Sequence, residues 1–235
     1  MGMEDVNIEP TVGSVFSGIG GIDLGLERAG WEVKWQIEID EWCRRVLTKH
    51  WPNVPKYGDV REPSGYDLEP VNLVAAGFPC QPVSLAGKQE AHSDPRWLWP
   101  ELLRIVSEIR PRFVLLENVP GLLHRGMASV IGDLSSCGYN AEWNCIPAAA
   151  IGAPHLRYRI FIVAYANRPR LPQREEQKLL VQRSSAIGSG WWSSEPDVGR
   201  VAHGIPSRVD RLRGLGNAVV PQVAEGIGRE LIKCL

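Results

Sequence analysis

Short apolar runs rich in β-branched residues alternate along this chain with stretches of helical period, and that alternation limits the fold more than any other feature. Thr11-Val12-Gly13-Ser14-Val15-Phe16, Trp31 to Ile37, Val71-Asn72-Leu73-Val74-Ala75-Ala76 and Phe113-Val114-Leu115-Leu116 each read as a strand. Between them, Ile22 to Ala29 is amphipathic and ends at Gly30, while Glu41 to His50 follows a capping Asp40 and stops before Pro52 and Pro55. Trp97, Leu98, Glu101, Leu102, Ile105, Val106 and Ile109 share a helical spacing, and Gly126 to Cys137 predicts a further helix ended by Gly138. Ala141–Ile146 and Ile160–Ala164 predict two more strands, and Pro221 opens a last helix reaching Leu231. Strands alternating with helices of roughly 8 to 13 residues predict an α/β fold with a mainly parallel, doubly wound sheet.

A chain of 235 residues with 44% hydrophobic and 23% charged residues can bury one substantial core, which excludes disordered and fibrous classes. No run approaches the roughly 18 apolar residues of a membrane span, and Met1-Gly2-Met3-Glu4-Asp5 is acidic where a secretory signal is basic. The expectation is a cytoplasmic protein with no membrane partner. The 5 cysteines are odd in number and include no Cys-x-x-Cys pair, so neither a disulfide framework nor a zinc site is expected, and no metal. Charge is divided unevenly: residues 1–150 hold 13 basic against 20 acidic side chains, a balance of −7, whereas 151–235 hold 13 against 7, a balance of +6. A basic face on an acidic body suits a polyanion, although a solvated basic surface would give the same count. From 167 to 210 the chain is rich in Arg, Pro, Ser, Gly and Gln, with few apolar residues besides Trp191-Trp192. That segment is expected to form a small irregular module, with 1–166 and 211–235 forming the main domain.

The chemistry-bearing residues fall at strand ends. Gly77-Phe78-Pro79-Cys80-Gln81-Pro82-Val83-Ser84 puts one thiol just beyond an apolar strand, where open α/β sheets carry their chemistry. A lone cysteine is more often a small buried hydrophobe. Ser17-Gly18-Ile19-Gly20-Gly21 joins the first strand to the first helix, so its glycines and helix-start N–H groups can admit a ligand closely or serve as a packing turn. Glu38 ends the second strand about 20 residues later, where an acid can accept hydrogen bonds from both ribose hydroxyls of a nucleoside cofactor. Glu117 ends a hydrophobic strand, a setting that raises a carboxyl's pKa and makes it a proton donor near neutrality. His155-Leu156-Arg157-Tyr158-Arg159 alternates as a strand does, which would align His155, Arg157 and Arg159 on one face. Pro82 to Pro95 reads as a mobile surface loop.

Together these stretches resemble the DNA cytosine-5 methyltransferases. Phe16-Ser17-Gly18-Ile19-Gly20-Gly21 is similar to that family's cofactor motif, Pro79-Cys80-Gln81 to its nucleophile motif and Glu117-Asn118-Val119 to its Glu-Asn-Val motif. His155-x-Arg157-x-Arg159 is close to the family's Gln-x-Arg-x-Arg, and Gly216-Asn217-Ala218-Val219 resembles its terminal motif. The resemblance implies a Rossmann-like methyltransferase sheet and transfer of a methyl group from S-adenosylmethionine to C5 of a flipped-out cytosine, leaving S-adenosylhomocysteine. It implies catalytic roles for Cys80, Glu117, Asn118, Arg157 and Arg159. It assigns the cofactor to Phe16, Gly18, Gly20, Gly21, Glu38, Ile39, Asp59, Phe78, Pro79, Asn217, Ala218 and Val219, and DNA to Gln81, Ser84, Lys88, His155, Trp192 and Arg200. Double-stranded DNA is the implied partner of a monomeric enzyme, bacterial or phage-encoded, with room for a restriction endonuclease in the same system. Two departures stand out: His155 replaces the usual Gln, and the target-recognition region, usually about a hundred residues or more, is reduced here to 167–210. A tRNA cytosine-5 methyltransferase and a catalytically silent DNA-binding relic remain alternatives, the second opposed by intact Cys80, Glu117 and Arg157.

Overall fold

The computed structural model describes residues 9–79, 97–153, 155–166, 214–215 and 217–235. Cys80, Gln81, Ser84, Lys88, Trp192, Arg200, Gly216 and the module expected at 167–210 lie outside the described residues.

Strands β1 (Thr11–Val15), β2 (Glu32–Ile37), β3 (Lys56–Tyr57), β4 (Leu73–Ala76), β5 (Phe113–Asn118), β6 (Tyr139–Pro147) and β7 (Tyr158–Ala166) form one sheet in the order β3-β2-β1-β4-β5-β7-β6. The first five pair in parallel, and β7 runs antiparallel to both β5 and β6. The expected doubly wound sheet is therefore present, with an antiparallel edge. From β1 the chain winds outward through β2 and β3, then returns to place β4 on the other side of β1. That reversal opens a crevice beyond the C-terminal ends of β1 and β4, the place where doubly wound sheets bind ligands.

Helices α1 (Gly21–Ala29), α2 (Glu41–His50), α3 (Trp99–Ile109), α4 (Leu122–Arg125), α5 (Met127–Ser136) and α6 (Pro221–Ile232) follow the expected periodicities closely, except the single-turn α4, which no periodicity marks. Asp40 caps α2 by accepting the Cys43 backbone N–H at 3.0 Å. The central strands are buried on both faces, as their unbroken apolar runs require. Trp35, Ile37, Val74, Val114, Leu116, Ile160 and Ile162 pack on one side with Leu102 and Val106 of α3 and Leu134 of α5. Val12, Leu73, Leu115, Phe161 and Val163 pack on the other with Leu26 of α1 and Val223, Ile227 and Leu231 of α6. α6 lies hard against α1: a Cβ on Gly25 would stand 2.1 Å from the Pro221 carbonyl oxygen, so only glycine lets the helices approach. Trp31 Nε1 donates to the Gly228 carbonyl at 3.0 Å, which fastens the C-terminal helix to the turn between α1 and β2. Among the described residues no helix is long and apolar enough to cross a membrane, and no group of His, Cys, Asp and Glu could hold a metal ion.

Candidate active site

A cleft of about 320 Å³ lies at the crevice and is lined by the ends of β1, β2, β4 and β5. On its β1 side the chain leaves the strand through Phe16, at φ 55°, and Gly18, at φ 56°. Nothing lies within 4 Å of where a Gly18 side chain would begin, so backbone is bare to the cleft there. Ser17 N–H donates to the Ile37 carbonyl at 3.1 Å, which ties this loop to the end of β2. Glu38 completes the tie: one carboxylate oxygen accepts Gly18 N–H at 2.7 Å and the other accepts Asp40 N–H at 2.8 Å. Each oxygen keeps a further lone pair for a ligand hydroxyl. Ile39, 63% exposed, gives the cleft an apolar wall beside them. Asp59, on the far rim, is bound by Arg61 through Nε at 2.9 Å and by its backbone N–H at 3.0 Å, which lowers its pKa to about 2 and keeps it anionic.

The opposite wall carries the acid. Glu117 is 7% exposed at the end of β5, where burial raises its pKa to about 7 against the downward pull of Arg159 and Arg157. Arg159 Nε reaches Glu117 Oε1 at 2.9 Å. Gly77 makes room for the other oxygen, since a Cβ there would stand 3.2 Å from Glu117 Oε2. Next to Glu117, Asn118 Nδ2 donates to the Phe78 carbonyl at 3.1 Å, and its Oδ1 accepts Val119 N–H at 2.8 Å. This bond pins the segment leading to Cys80 against β5. Phe78 is held from behind by Trp97 and Trp99, at ring separations of 5.8 and 5.5 Å, and Trp99 Nε1 is fixed on Asp133 at 2.8 Å.

Phe16, Gly18, Gly21, Glu38, Ile39, Asp59, Phe78, Pro79, Glu117, Asn118, Arg159, Asn217, Ala218 and Val219 all line this one cleft, although they come from seven separate stretches of chain. Gly20 is not among the lining residues: at φ 83° it turns the chain into α1, and a Cβ there would meet the Trp51 ring at 2.5 Å. His155, Arg157 and Arg159 do not share a strand face. β7 begins only at Tyr158, and Arg157 sits before it at φ 27° with a guanidinium N–H donating to the Ala218 carbonyl at 2.7 Å. His155 is exposed and apart from the cleft. Residues the motifs did not single out also line it, among them Asp40, Trp42, Cys43, Val60, Leu98 and Gly214. Trp42 had a signal, an aromatic in the first turn of α2 just past Glu38, and a Cβ on Gly214 would stand 2.7 Å from its ring.

The sheet order and the switch-point cleft are those of a Rossmann-like methyltransferase fold. The chain belongs to the C-5 cytosine-specific DNA methylase family, whose model matches residues 11–191. It is 31% identical over 212 residues to the Type II methyltransferase M2.BsuMI of Bacillus subtilis, covering 82% of this chain and 54% of that protein. It is 38% identical over 159 residues to the Type II methyltransferase M.NgoMIV of Neisseria gonorrhoeae, covering 65% and 51%. The solved structure of the Entamoeba histolytica methyltransferase EhMeth superposes with a TM-score of 0.60 at 21% identity, over 74% of this chain and 59% of that one, a likeness of fold. The chain spans about half the length of the curated relatives it matches.

Proposed function

We propose that this protein transfers a methyl group from S-adenosylmethionine to C5 of a flipped-out cytosine in double-stranded DNA. The observation that carries the proposal is Glu117, a buried acid with pKa about 7 facing the same cleft as the glycine loop and Glu38. A carboxyl of that pKa is protonated in about half of the molecules at pH 7 and can give its proton to a ring nitrogen, whereas an ordinary surface glutamate is almost wholly ionised there.

The cleft fits the cofactor: bare backbone at Gly18, a carboxylate with free lone pairs at Glu38, an apolar wall at Ile39. Phe16, Gly18, Gly21, Glu38, Ile39, Asp59, Phe78, Pro79, Asn217, Ala218 and Val219 would hold it, with Gly20 shaping the turn beneath. S-adenosylmethionine, when bound, supplies an electrophilic methyl group and becomes S-adenosylhomocysteine. Cys80 follows Pro79 directly, and its thiolate adds to C6 of the cytosine. Glu117 donates its proton toward N3 and so neutralises the electron density pushed into the ring, which leaves C5 nucleophilic. Arg159 orients Glu117, and Asn118 holds the carbonyl two residues before Cys80. Once C5 carries the methyl group, loss of the C5 proton to solvent water expels the Cys80 thiolate, the N3 proton returns to Glu117, and the aromatic ring is restored. The base must leave the duplex to reach this wall, at about a few kcal/mol.

In this reading Gln81, Ser84, Lys88 and His155 meet DNA around the extruded base, Arg157 contacts the cytosine or its phosphate, and 167–210, with Trp192 and Arg200, forms a small recognition module beside a catalytic domain of 1–166 and 211–235. The Type II methyltransferase relatives support a place in a restriction-modification system, with an endonuclease as companion. The enzyme acts as a cytoplasmic monomer. Incubation with labelled S-adenosylmethionine and either unmethylated duplex DNA or tRNA, followed by sequencing, tests the proposal. Label at C5 of duplex cytosines is expected; label on tRNA alone would overturn the choice of DNA, and label on neither would overturn the activity.

A further inference from the structure

Beneath the cofactor loop lies a row of polar side chains that the chemistry above does not use. Ser14 of β1, Gln36 of β2 and Lys56 of β3 occupy one lateral position of the parallel sheet, Ser14 opposite Gln36 and Gln36 opposite Lys56. The next residue along that row, Ala75 of β4, is apolar, as the core is elsewhere. Asp23, in the first turn of α1 and 1% exposed, turns inward onto this row. Its Oδ2 accepts from Ser14 Oγ at 3.1 Å and its Oδ1 from Gln36 Nε2 at 2.8 Å. An acid at that helix position gains nothing by burial, since it would meet the helix N–H groups and water equally well outside. Gln36 is fully buried, and its Oε1 has no hydrogen-bond partner among the described residues. The charges that face Asp23 are Glu27, one turn along α1, and Lys56, whose ammonium is held by the Trp51 and Val54 carbonyls. Burial raises the Asp23 carboxyl to about 6 against the pull of Gln36 and Ser14.

The strands that Asp23 joins are those whose ends build the cofactor site. The Ser14 carbonyl accepts from Ser17 Oγ at 3.3 Å in the glycine loop. Gln36 stands two residues before Glu38, which grips Gly18 N–H at 2.7 Å. Ile22, next to Asp23, lines the cleft itself. We propose that Asp23 is a positioning residue for cofactor binding: its ionised carboxylate ties α1 to β1 and β2, thereby setting the Gly18–Glu38 spacing, and its protonation loosens the site. The proposal rests on the reading of this cleft as the S-adenosylmethionine site. A protonated Asp23 donates from Oδ2 to Ser14 Oγ, which reverses that bond, while Oδ1 goes on accepting Gln36 Nε2–H; both bonds lose their charge assistance, and the tie between the strands slackens.

The test is the affinity of the whole protein for S-adenosylhomocysteine, measured by titration calorimetry between about pH 5 and 8 in the wild type, Asp23→Asn and Gln36→Leu. Wild-type affinity is expected to fall about fivefold as pH drops through about 6, the equivalent of one net hydrogen bond. Asp23→Asn should lack that step, and Gln36→Leu, which deletes a bond favouring the charged acid, should move its midpoint upward. A flat wild-type profile, the same step in Asp23→Asn, or an unmoved midpoint in Gln36→Leu would each overturn the role of Asp23 while leaving the cofactor reading intact. Absence of binding at every pH would overturn the cofactor reading and this proposal with it.

Discussion

Substituting Glu117 with Gln isolates the cost of keeping a carboxyl in the catalytic wall. The acid stands at about 7 in the fold against an ordinary value of 4.5. Its neutral form is therefore the one the fold prefers. Wild-type stability is greatest below the ordinary value, where the carboxyl is neutral folded or unfolded, declines as pH rises toward 7, and is level above that. At 1.36 kcal/mol per pKa unit, ionising Glu117 in place costs about 3 kcal/mol. Solvent screens little of this, because the side chain is only 9% exposed, and the cost remains although Arg159, in contact at 2.9 Å, pulls the other way. Glu117→Gln should thus gain about 3 kcal/mol on the wild type between about pH 4 and pH 8. Urea unfolding at both pH values measures this, and Asp23, common to both proteins, cancels from the difference. A gap that does not change with pH, or a variant that loses ground at high pH, would refute the reasoning, because the Arg159 ion pair would then outweigh desolvation.

Asn118→Ala leaves the Phe78 carbonyl buried without its donor and should cost about 1–3 kcal/mol in unfolding free energy, with a lower kcat for methyl transfer; unchanged stability and turnover would mean that the bond does not hold the Cys80 segment. Asp40→Ala removes the α2 cap but keeps the Asp40 N–H that Glu38 accepts, so it should cost about 1 kcal/mol and lower Tm by about 2–4 °C, read by thermal denaturation. An unshifted Tm would place the helix start elsewhere.

The strands and helices were legible because their signals are local. Asp40 before an amphipathic run and Gly30 after one mark boundaries wherever the chain folds, and both stand where the periodicity placed them. The convergence of the glycine loop, Glu38, Phe78 and Glu117 was legible too, since all four sit at strand ends that a parallel sheet brings to one edge. Side-chain partners were not. Glu38 reads as a free ribose acceptor, yet two backbone N–H groups already occupy part of it. The spacing of Arg157 and Arg159 suggests one strand face, but the ladder with β6 starts at Tyr158, and Arg157 falls in a left-handed turn outside it. Gly20 looks like its neighbours Gly18 and Gly21, and only the position of Trp51 gives it a different task. Asp23 belongs to none of the motifs; the signal that it turns inward is Ser14 and Gln36, polar residues inside otherwise apolar strands.

The central claim is that Cys80 attacks C6 of a cytosine while Glu117 protonates the ring. It is tested most directly with a duplex in which 5-fluorocytosine replaces the target cytosine, because fluorine at C5 cannot leave as the proton does and the adduct persists. In the presence of S-adenosylmethionine, intact-mass measurement should show protein and DNA covalently joined, with one added methyl group and the link at Cys80 on peptide analysis. Cys80→Ala should give no adduct. A duplex that stays free with the wild type, or one that is still captured by Cys80→Ala, would contradict the account.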